Sequence, residues 1–458
     1  MNHTPFAPLL NRILLILFGL AVIAGASPRA LAAGGPTLIR DTEIENILKS
    51  WSEPVIKAAN LDPGSVNMII VQDNNINAFV AGGPNIFLFT GLLNRSESPM
   101  EIIGVIGHEL GHISGGHLVR ARGAMQNASY ESLLGALVGL GAAVLTGEGG
   151  LASAIMAGTQ SSAYGRYLAF SRVQESSADQ AALDYLATSQ MNPGGLISFM
   201  HKLEDQELLP SSQQSQYVRT HPLTRDRIEA LEAGRARSAF KDKGYPPEWD
   251  EQHKRMLAKL IGFITPEQVE WKYDSRDTSI PAAYARAIAA YRQNRTKEAV
   301  AQIDALLARE TDNPYFLELK GQMLFEFGRV AESLAPYRRA VEILPEAALI
   351  RTAYAHALIE SAGQDKARLN EGIDHLQRAA KQEDRSPLIH RLLATAYGRL
   401  GQESRAKLHL AEEALLKGEI PYAKRQAEAA LAGLEKGSNP WLRAQDILNF
   451  IEQAEGKD

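Results

Sequence analysis

His108 and His112 stand four residues apart, and Glu109 directly follows the first of them. On a helix, positions i and i+4 share a face, so both imidazoles can reach one metal ion. Glu109 then sits one step around the helix, beside an open coordination position. There its carboxylate can take a proton from an attacking water and later hand it to a leaving amine. Zinc suits two histidines plus one carboxylate, and it lowers the pKa of water to about 7, so a nucleophile exists at neutral pH. The pattern His-Glu-x-x-His also arises by chance on amphipathic helices. Here it follows an apolar run and a strong helix start, in a chain that has no cysteine.

A third protein ligand must come from elsewhere. A third histidine two turns further on, with a glycine before it, would fall at Leu118; Gly115 fits that pattern, but His117 is one residue early. His117 reads instead as a polar residue at the helix end. Glu175 is the better candidate. It opens Glu175-Ser176-Ser177-Ala178-Asp179, so two carboxylates four residues apart share one helical face. Glu175 is assigned to the metal. Asp179 is assigned to accept the Nδ1–H of a ligating histidine, which fixes its tautomer and raises its basicity.

The elements that must position these groups are legible around them. Residues from about 37 to 60 predict a helix, with Ile44, Ile47, Leu48 and Trp51 at helical spacing. Residues 66 to 72 predict a buried strand. Ala78 to Ala81 and Asn85 to Thr90 flank Gly82-Gly83-Pro84 and predict a hairpin. In the second strand Phe87 and Phe89 alternate with Ile86 and Leu88; the two phenylalanines are candidates for meeting an extended peptide laid along a sheet edge. Ser98-Pro99-Met100-Glu101 predicts a capping box that starts the motif helix. A second helix spans about Ser171 to Thr188 and ends near Asn192-Pro193-Gly194-Gly195. Residues 132 to 158 are apolar and interrupted by Gly147-Glu148-Gly149-Gly150. Each half is too short to cross a bilayer. They are either two buried helices or an apolar hairpin that touches a membrane or covers the cleft.

The first 32 residues contain no acid. Arg12 precedes an apolar run, and Ala30-Leu31-Ala32 supplies a small-x-small cleavage site, the pattern of a secretory signal peptide. The alternative is an uncleaved anchor. With 458 residues, 45% of them hydrophobic and 22% charged, the chain has globular composition and enough apolar material for more than one core. The net charge of −5 excludes a strongly basic nucleic-acid binder, and no nucleic acid is expected as a partner. The absence of cysteine excludes disulfides, thiolate metal sites and thiol catalysis.

Charge, glycine and proline at Lys241 to Pro247 mark a boundary. Beyond about residue 275 the chain repeats. Gly321, Gly328, Ser333, Tyr337, Ala340 and Pro345 fall on the signature positions of a tetratricopeptide repeat, a 34-residue helix pair. A second copy carries Ala394, Tyr397, Gly401, Ala406 and Leu410. Weaker copies carry Ala287, Ala299 and Ile303, or start near Leu349. About four repeats, closed by a helix from Trp441 to Ala454, would stack into a solenoid with a concave face. The predicted class is α+β, mostly α. Residues 1–32 are the signal peptide, 33–270 a His-Glu-x-x-His zinc-peptidase domain with a small β-sheet, and 271–458 an all-α repeat solenoid.

His108-Glu109-x-Gly111-His112, followed some sixty residues later by Glu175-x-x-Ala178-Asp179, resembles the zinc peptidases related to the CaaX prenyl protease and the HtpX heat-shock protease. Thr220-His221-Pro222 with Arg227 downstream matches the same family. The added leader and repeats are similar to the periplasmic branch that serves outer-membrane β-barrel assembly. The resemblance implies one zinc ion per chain. It implies unfolded or misassembled outer-membrane proteins as substrates, docking of the repeats on the barrel assembly machinery, and a chaperone-like role. A peptidase also needs a donor for the developing oxyanion. The resemblance gives that role to His221 and Arg227. His221 has two other readings: a fourth metal ligand that keeps the resting enzyme latent, or a structural histidine before Pro222. The rival for the whole chain is a chaperone or adaptor whose zinc domain is mainly structural or latent.

Overall fold

A computed structural model describes residues 37–117, 172–207 and 213–455 of the chain. The leader and the apolar stretch at 132–158 lie outside the described residues. The fold is mostly helical, with one small sheet beside the metal motif, as the sequence predicts.

The sheet has four strands: β1 (Thr37–Ile39), β2 (Asn67–Gln72), β3 (Ala78–Val80) and β4 (Asn85–Phe89). Their spatial order is β1-β2-β4-β3. β2 and β4 run parallel, and the two outer pairs are antiparallel. The chain thus leaves β2, runs along the outer edge as β3, and returns through the gap as β4. Gly82 and Gly83, at φ +65° and +111°, make that return turn possible. The predicted hairpin is there, but its second strand is interior. β4 is buried on both faces: Ile86 and Leu88 join the main core, and Phe87 stacks on Phe79 at 4.9 Å between ring centroids. Phe87 and Phe89 are each 1% exposed and belong to a packed aromatic layer with Phe79. The expectation that they meet substrate is therefore corrected. Among the described residues, the strand with an unpaired side near the motif is β3.

Helix α1 (Thr42–Ala58) begins later than predicted because residues 37–39 are drawn into β1 by pairing with β2. Asp41 caps it by accepting from the Ile44 amide. α2 (Thr90–Arg95) leads from β4 to α3 (Pro99–Ser114), the motif helix. α3 is buried from Pro99 to His112. Its predicted capping box is not made. Ser98 forms no side-chain cap, and Glu101 turns instead to the Glu97 amide (2.8 Å), Ser198 (2.7 Å) and Lys202 (2.7 Å). A pairing with the neighbouring helix that carries Ser198 and Lys202 has displaced the local one. α4 (Arg172–Thr188) and α5 (Gly194–Glu207) flank α3, followed by α6 (Gln216–Thr220), α7 (Arg225–Arg237) and α8 (Pro247–Ile264). Among the described residues no helix is long and apolar enough to cross a membrane.

α8 serves two cores. Met256 and Leu260 pack into the sheet-and-helix core, whereas Ala258 and Ile261 pack on Ala285 and Ala289 of the repeats. Lys259, 4% exposed, pairs with Asp41 (2.8 Å) and Glu43 (3.2 Å), and the Tyr284 hydroxyl donates to Glu43. Further along, Arg40 forms a two-pronged pair with Glu383, so the solenoid curves back onto the first domain.

After α9 (Val269–Lys272), ten helices form the repeats: α10 (Ile280–Arg292), α11 (Thr296–Arg309), α12 (Pro314–Glu326), α13 (Val330–Ile343), α14 (Ala348–Ser361), α15 (Lys366–Ala379), α16 (Pro387–Arg399), α17 (Glu403–Leu416), α18 (Ile420–Leu431) and α19 (Asn439–Glu455). Consecutive helices pair, giving one pair more than the four predicted. The unforeseen member is α18, whose alanines pack on α19 with few large side chains to announce it.

His390 of α16 and His409 of α17 meet Nδ1 to Nδ1 at 3.1 Å, and Tyr397 stacks flat on His409. Burial, with His390, Arg443 and Arg405 nearby, pushes His409 from 6.5 down to about 3. In that window the unfolded chain binds a proton that the folded chain does not. Stability attached to this group is therefore present above pH 6.5 and is lost as pH falls toward 3. Urea-unfolding midpoints are expected to decline across this window, and less steeply in His409→Phe; equal slopes would contradict the assignment.

Candidate metal centre

α3 and α4 cross backbone to backbone. A Cβ on Gly111 would lie 2.8 Å from the Cα and carbonyl oxygen of Ala178, so only glycine permits the approach. The contact sets Glu175, one turn before Ala178, against both motif histidines. His108 Nε2 and His112 Nε2 are 3.1 Å apart, and each lies 3.4 Å from a Glu175 oxygen. Asp179, one residue past the crossing, faces His108 Nδ1 at 2.9 Å.

His221 completes the cluster. It caps α6, which is sewn to the sheet: the Tyr217 amide donates to Ile76 O, and Asn77 bonds Gln216. His221 Nδ1 lies 3.4 Å from His108 Nε2 and 3.3 Å from Glu175 Oε1, and its Nε2 lies 3.2 Å from Ala78 O on β3. His108, Glu109, His112, Glu175 and His221 are all fully buried.

Four potential ligand atoms, one from each of His108, His112, Glu175 and His221, lie within 4.8 Å of one another. An ion bonded to such atoms at about 2.0–2.1 Å in a tetrahedron has edges of roughly 3.3–3.4 Å. The separations given above, 3.1 to 3.4 Å, lie close to that figure, within a set of atoms that spans up to 4.8 Å. Converging lone pairs in a dry pocket repel unless a cation or proton lies between them, so the residues present suit a metal ion. Among the described residues neither oxygen of Glu109 has a hydrogen-bond partner, although both are buried. His221 Nε2 is 3.6 Å away.

The two carboxyls are driven apart in acidity. Burial pushes Glu109 up, and the nearby His221 and His108 offset this only in part. Burial also opposes ionisation of Glu175, but His221, His108 and His112 outweigh it and hold this carboxyl well below the usual range. One carboxyl is thus a standing anion suited to a cation, and the other is poised to exchange a proton.

Residues 40–235 match the model of peptidase family M48, and residues 284–348 match a tetratricopeptide-repeat model. Residues 40–235 are a peptidase family M48 domain. The chain is 26% identical over 294 residues to a β-barrel assembly-enhancing protease of Escherichia coli, covering 62% of this chain and 59% of that one. It is 24% identical over 419 residues to the Yersinia pestis protein of that name, covering 90% and 83%. A mitochondrial metalloendopeptidase of Arabidopsis thaliana, OMA1, is 28% identical over 194 residues, 42% of this chain and 36% of that one. These relatives agree with the resemblance read from the motifs.

Within the M48 domain, Arg227 is engaged with the two carboxylates of α4. Its Nε and Nη2 hold Asp179 at 2.7 and 2.9 Å, while Nη1 reaches Pro222 O at 2.7 Å and Glu175 at 2.9 Å. With the guanidinium committed to these partners, Arg227 is a clamp that orients Asp179 and Glu175. The sequence reading missed Tyr217, whose ring stacks on His221 at 4.7 Å. Its position four residues before His221 was the available signal. It also missed Ala78, which contributes only a carbonyl and so leaves no trace in side-chain patterns.

Gly111→Ala must push α3 away from α4. Such overpacking costs about 1–3 kcal/mol and should also separate Glu175 from the histidines. Urea unfolding and metal content of the purified variant measure the two effects. Wild-type metal content would refute the role assigned to the crossing.

Proposed function

We propose that the chain is a periplasmic zinc endopeptidase that degrades misfolded or stalled outer-membrane β-barrel proteins, with its repeats docking on the barrel assembly machinery. The observation that carries this reading is the buried convergence of His108, His112 and Glu175 beside an unpartnered Glu109. When bound by those three residues, zinc would supply Lewis acidity and a water of pKa about 7. Glu109 takes the proton of the attacking water and passes it to the leaving amine, a task that suits a carboxyl raised by burial. Asp179 receives the His108 Nδ1–H and keeps Nε2 facing the ion. β3 is the edge along which an extended substrate would lie. The relatives named β-barrel assembly-enhancing proteases support the substrate class, and the repeats support a protein partner. The leader pattern at residues 1–32 supports the periplasm.

Of the readings of His221, the geometry favours the latent one. Its Nδ1 joins the ligand atoms of His108 and Glu175, where a water or substrate would otherwise stand, and its Nε2 meets a carbonyl of the edge strand. His221 therefore has to swing away before catalysis. The same observation favours the second reading of the chain, a chaperone or adaptor with a latent zinc domain.

Proteolysis of an unfolded outer-membrane barrel protein, with zinc content measured on the same sample, tests the proposal. Cleavage should be lost with a chelator. Glu109→Gln should retain zinc and cut kcat/KM by about 10²–10⁴-fold, the usual worth of general acid–base catalysis. Bound zinc without cleavage, with Glu109→Gln fully functional in barrel assembly, would favour the chaperone reading.

His221→Ala separates latency from donation. Latency predicts faster cleavage by the variant at unchanged zinc content. A fall of about 10²-fold or more, as for loss of an oxyanion donor, would assign His221 to the transition state instead.

A further inference from the structure

The motif helix ends in Gly115-Gly116-His117, and each of the three residues has a geometric part. Gly116 turns the chain at φ +61°. His117 then folds back beneath the last helical turn, 2% exposed. A Cβ on Gly115 would lie 2.6 Å from His117 Nε2 and 2.9 Å from its Cε1, so the ring uses space that a glycine leaves open. The result is a contact of 2.8 Å between His117 Nδ1 and His112 Nδ1, with the rings edge to face at 5.0 Å. His117 meets His112 on the side away from Nε2. It is therefore not the third ligand, nor merely a polar residue closing a helix.

We propose that His117 is the positioning residue of the second metal-ligating histidine: it accepts the Nδ1–H of His112 and thereby turns the Nε2 lone pair of His112 toward the ion. The inference rests on the metal-site reading above. A neutral imidazole carries one N–H. Two bare Nδ1 atoms at 2.8 Å would repel, so one of them holds a proton. If His117 held it, the proton of His112 would sit on Nε2, 3.1 Å from His108 Nε2 and 3.4 Å from Glu175, and His112 could not bind a metal. Metal binding and donation from His112 to His117 therefore require each other. The two ligating histidines are backed differently: His108 by a carboxylate held by Arg227, His112 by an imidazole held by a glycine turn.

Zinc affinity of the full chain, measured by competition with a chelator, tests this with two opposed variants. His117→Leu keeps most of the volume and removes the acceptor. His117→Asn gives up volume but offers an amide oxygen near the place of Nδ1. The expected result is a loss of about 10–100-fold for Leu, the usual effect of removing a ligand's hydrogen-bond partner, and affinity close to wild type for Asn. Unfolding midpoints of the metal-free proteins should not follow this order. Undiminished zinc affinity in His117→Leu overturns the inference. So does an equal loss in both variants, which would make His117 a packing residue. Failure of the wild-type chain to bind zinc would instead overturn the metal reading, and this inference with it.

Discussion

The approach of two helix backbones at Gly111 and Ala178 is the constraint on which the site depends. Helices usually pack about 8–10 Å apart, held off by side chains. Removing the Cβ at the crossing lets the turn carrying Glu175 and Asp179 come within reach of imidazoles projecting from α3. Ligand atoms that must share an ion of about 2 Å bond length cannot tolerate an ångström of error. A crossing fixed by backbone contact is more exact than one fixed by flexible side chains. α3 is in turn held on every side, by α1, α4, α5 and the sheet, and its apolar residues are buried along its length.

Placing so many ionisable groups in a dry core demands compensation, and the site supplies it in layers. Asp179 is held between the Arg227 guanidinium and His108 Nδ1, and these hydrogen bonds outweigh the burial that would otherwise raise its carboxyl. Removing one partner of such a buried pair typically costs about 3–5 kcal/mol, because the other charge is left uncompensated. Arg227 also reaches Glu175, so a single cation orients both carboxylates of α4. Glu109 stands outside this layer. It is buried without a hydrogen-bond partner, a state that costs stability and that a purely structural site would not need.

The repeats are not a loosely tethered appendage. α8 contributes side chains to two cores, Lys259 ties α1 to the junction, and Arg40 meets Glu383 from the far end of the third helix pair. The first three helix pairs are therefore held in a defined direction relative to the M48 domain.

Much of this was legible without coordinates. His108, Glu109 and His112 announce their chemistry through spacing alone, because a helix puts i and i+4 on one face. Glu175 and Asp179 follow from the same periodicity, and the repeats from their recurring small and aromatic positions. What local patterns could not decide was which of two adjacent strands lies outside. Ile86-Phe87-Leu88-Phe89 was read as alternating, yet an unbroken apolar run is the mark of a strand buried on both faces. Its neighbour β3, short and unremarkable, took the edge. Nor could periodicity show that Glu101 prefers Ser198 and Lys202 to its own cap, that Arg227 is spent on Asp179, or that His117 bends back to His112. Each is a contact between groups that only chain reversal or distant helices bring together. The sequence by itself determined the donor set and its chemistry, since these depend on residue type and helical repeat. The tertiary structure alone decided which donors converge and what backs each of them, because that depends on where backbones cross.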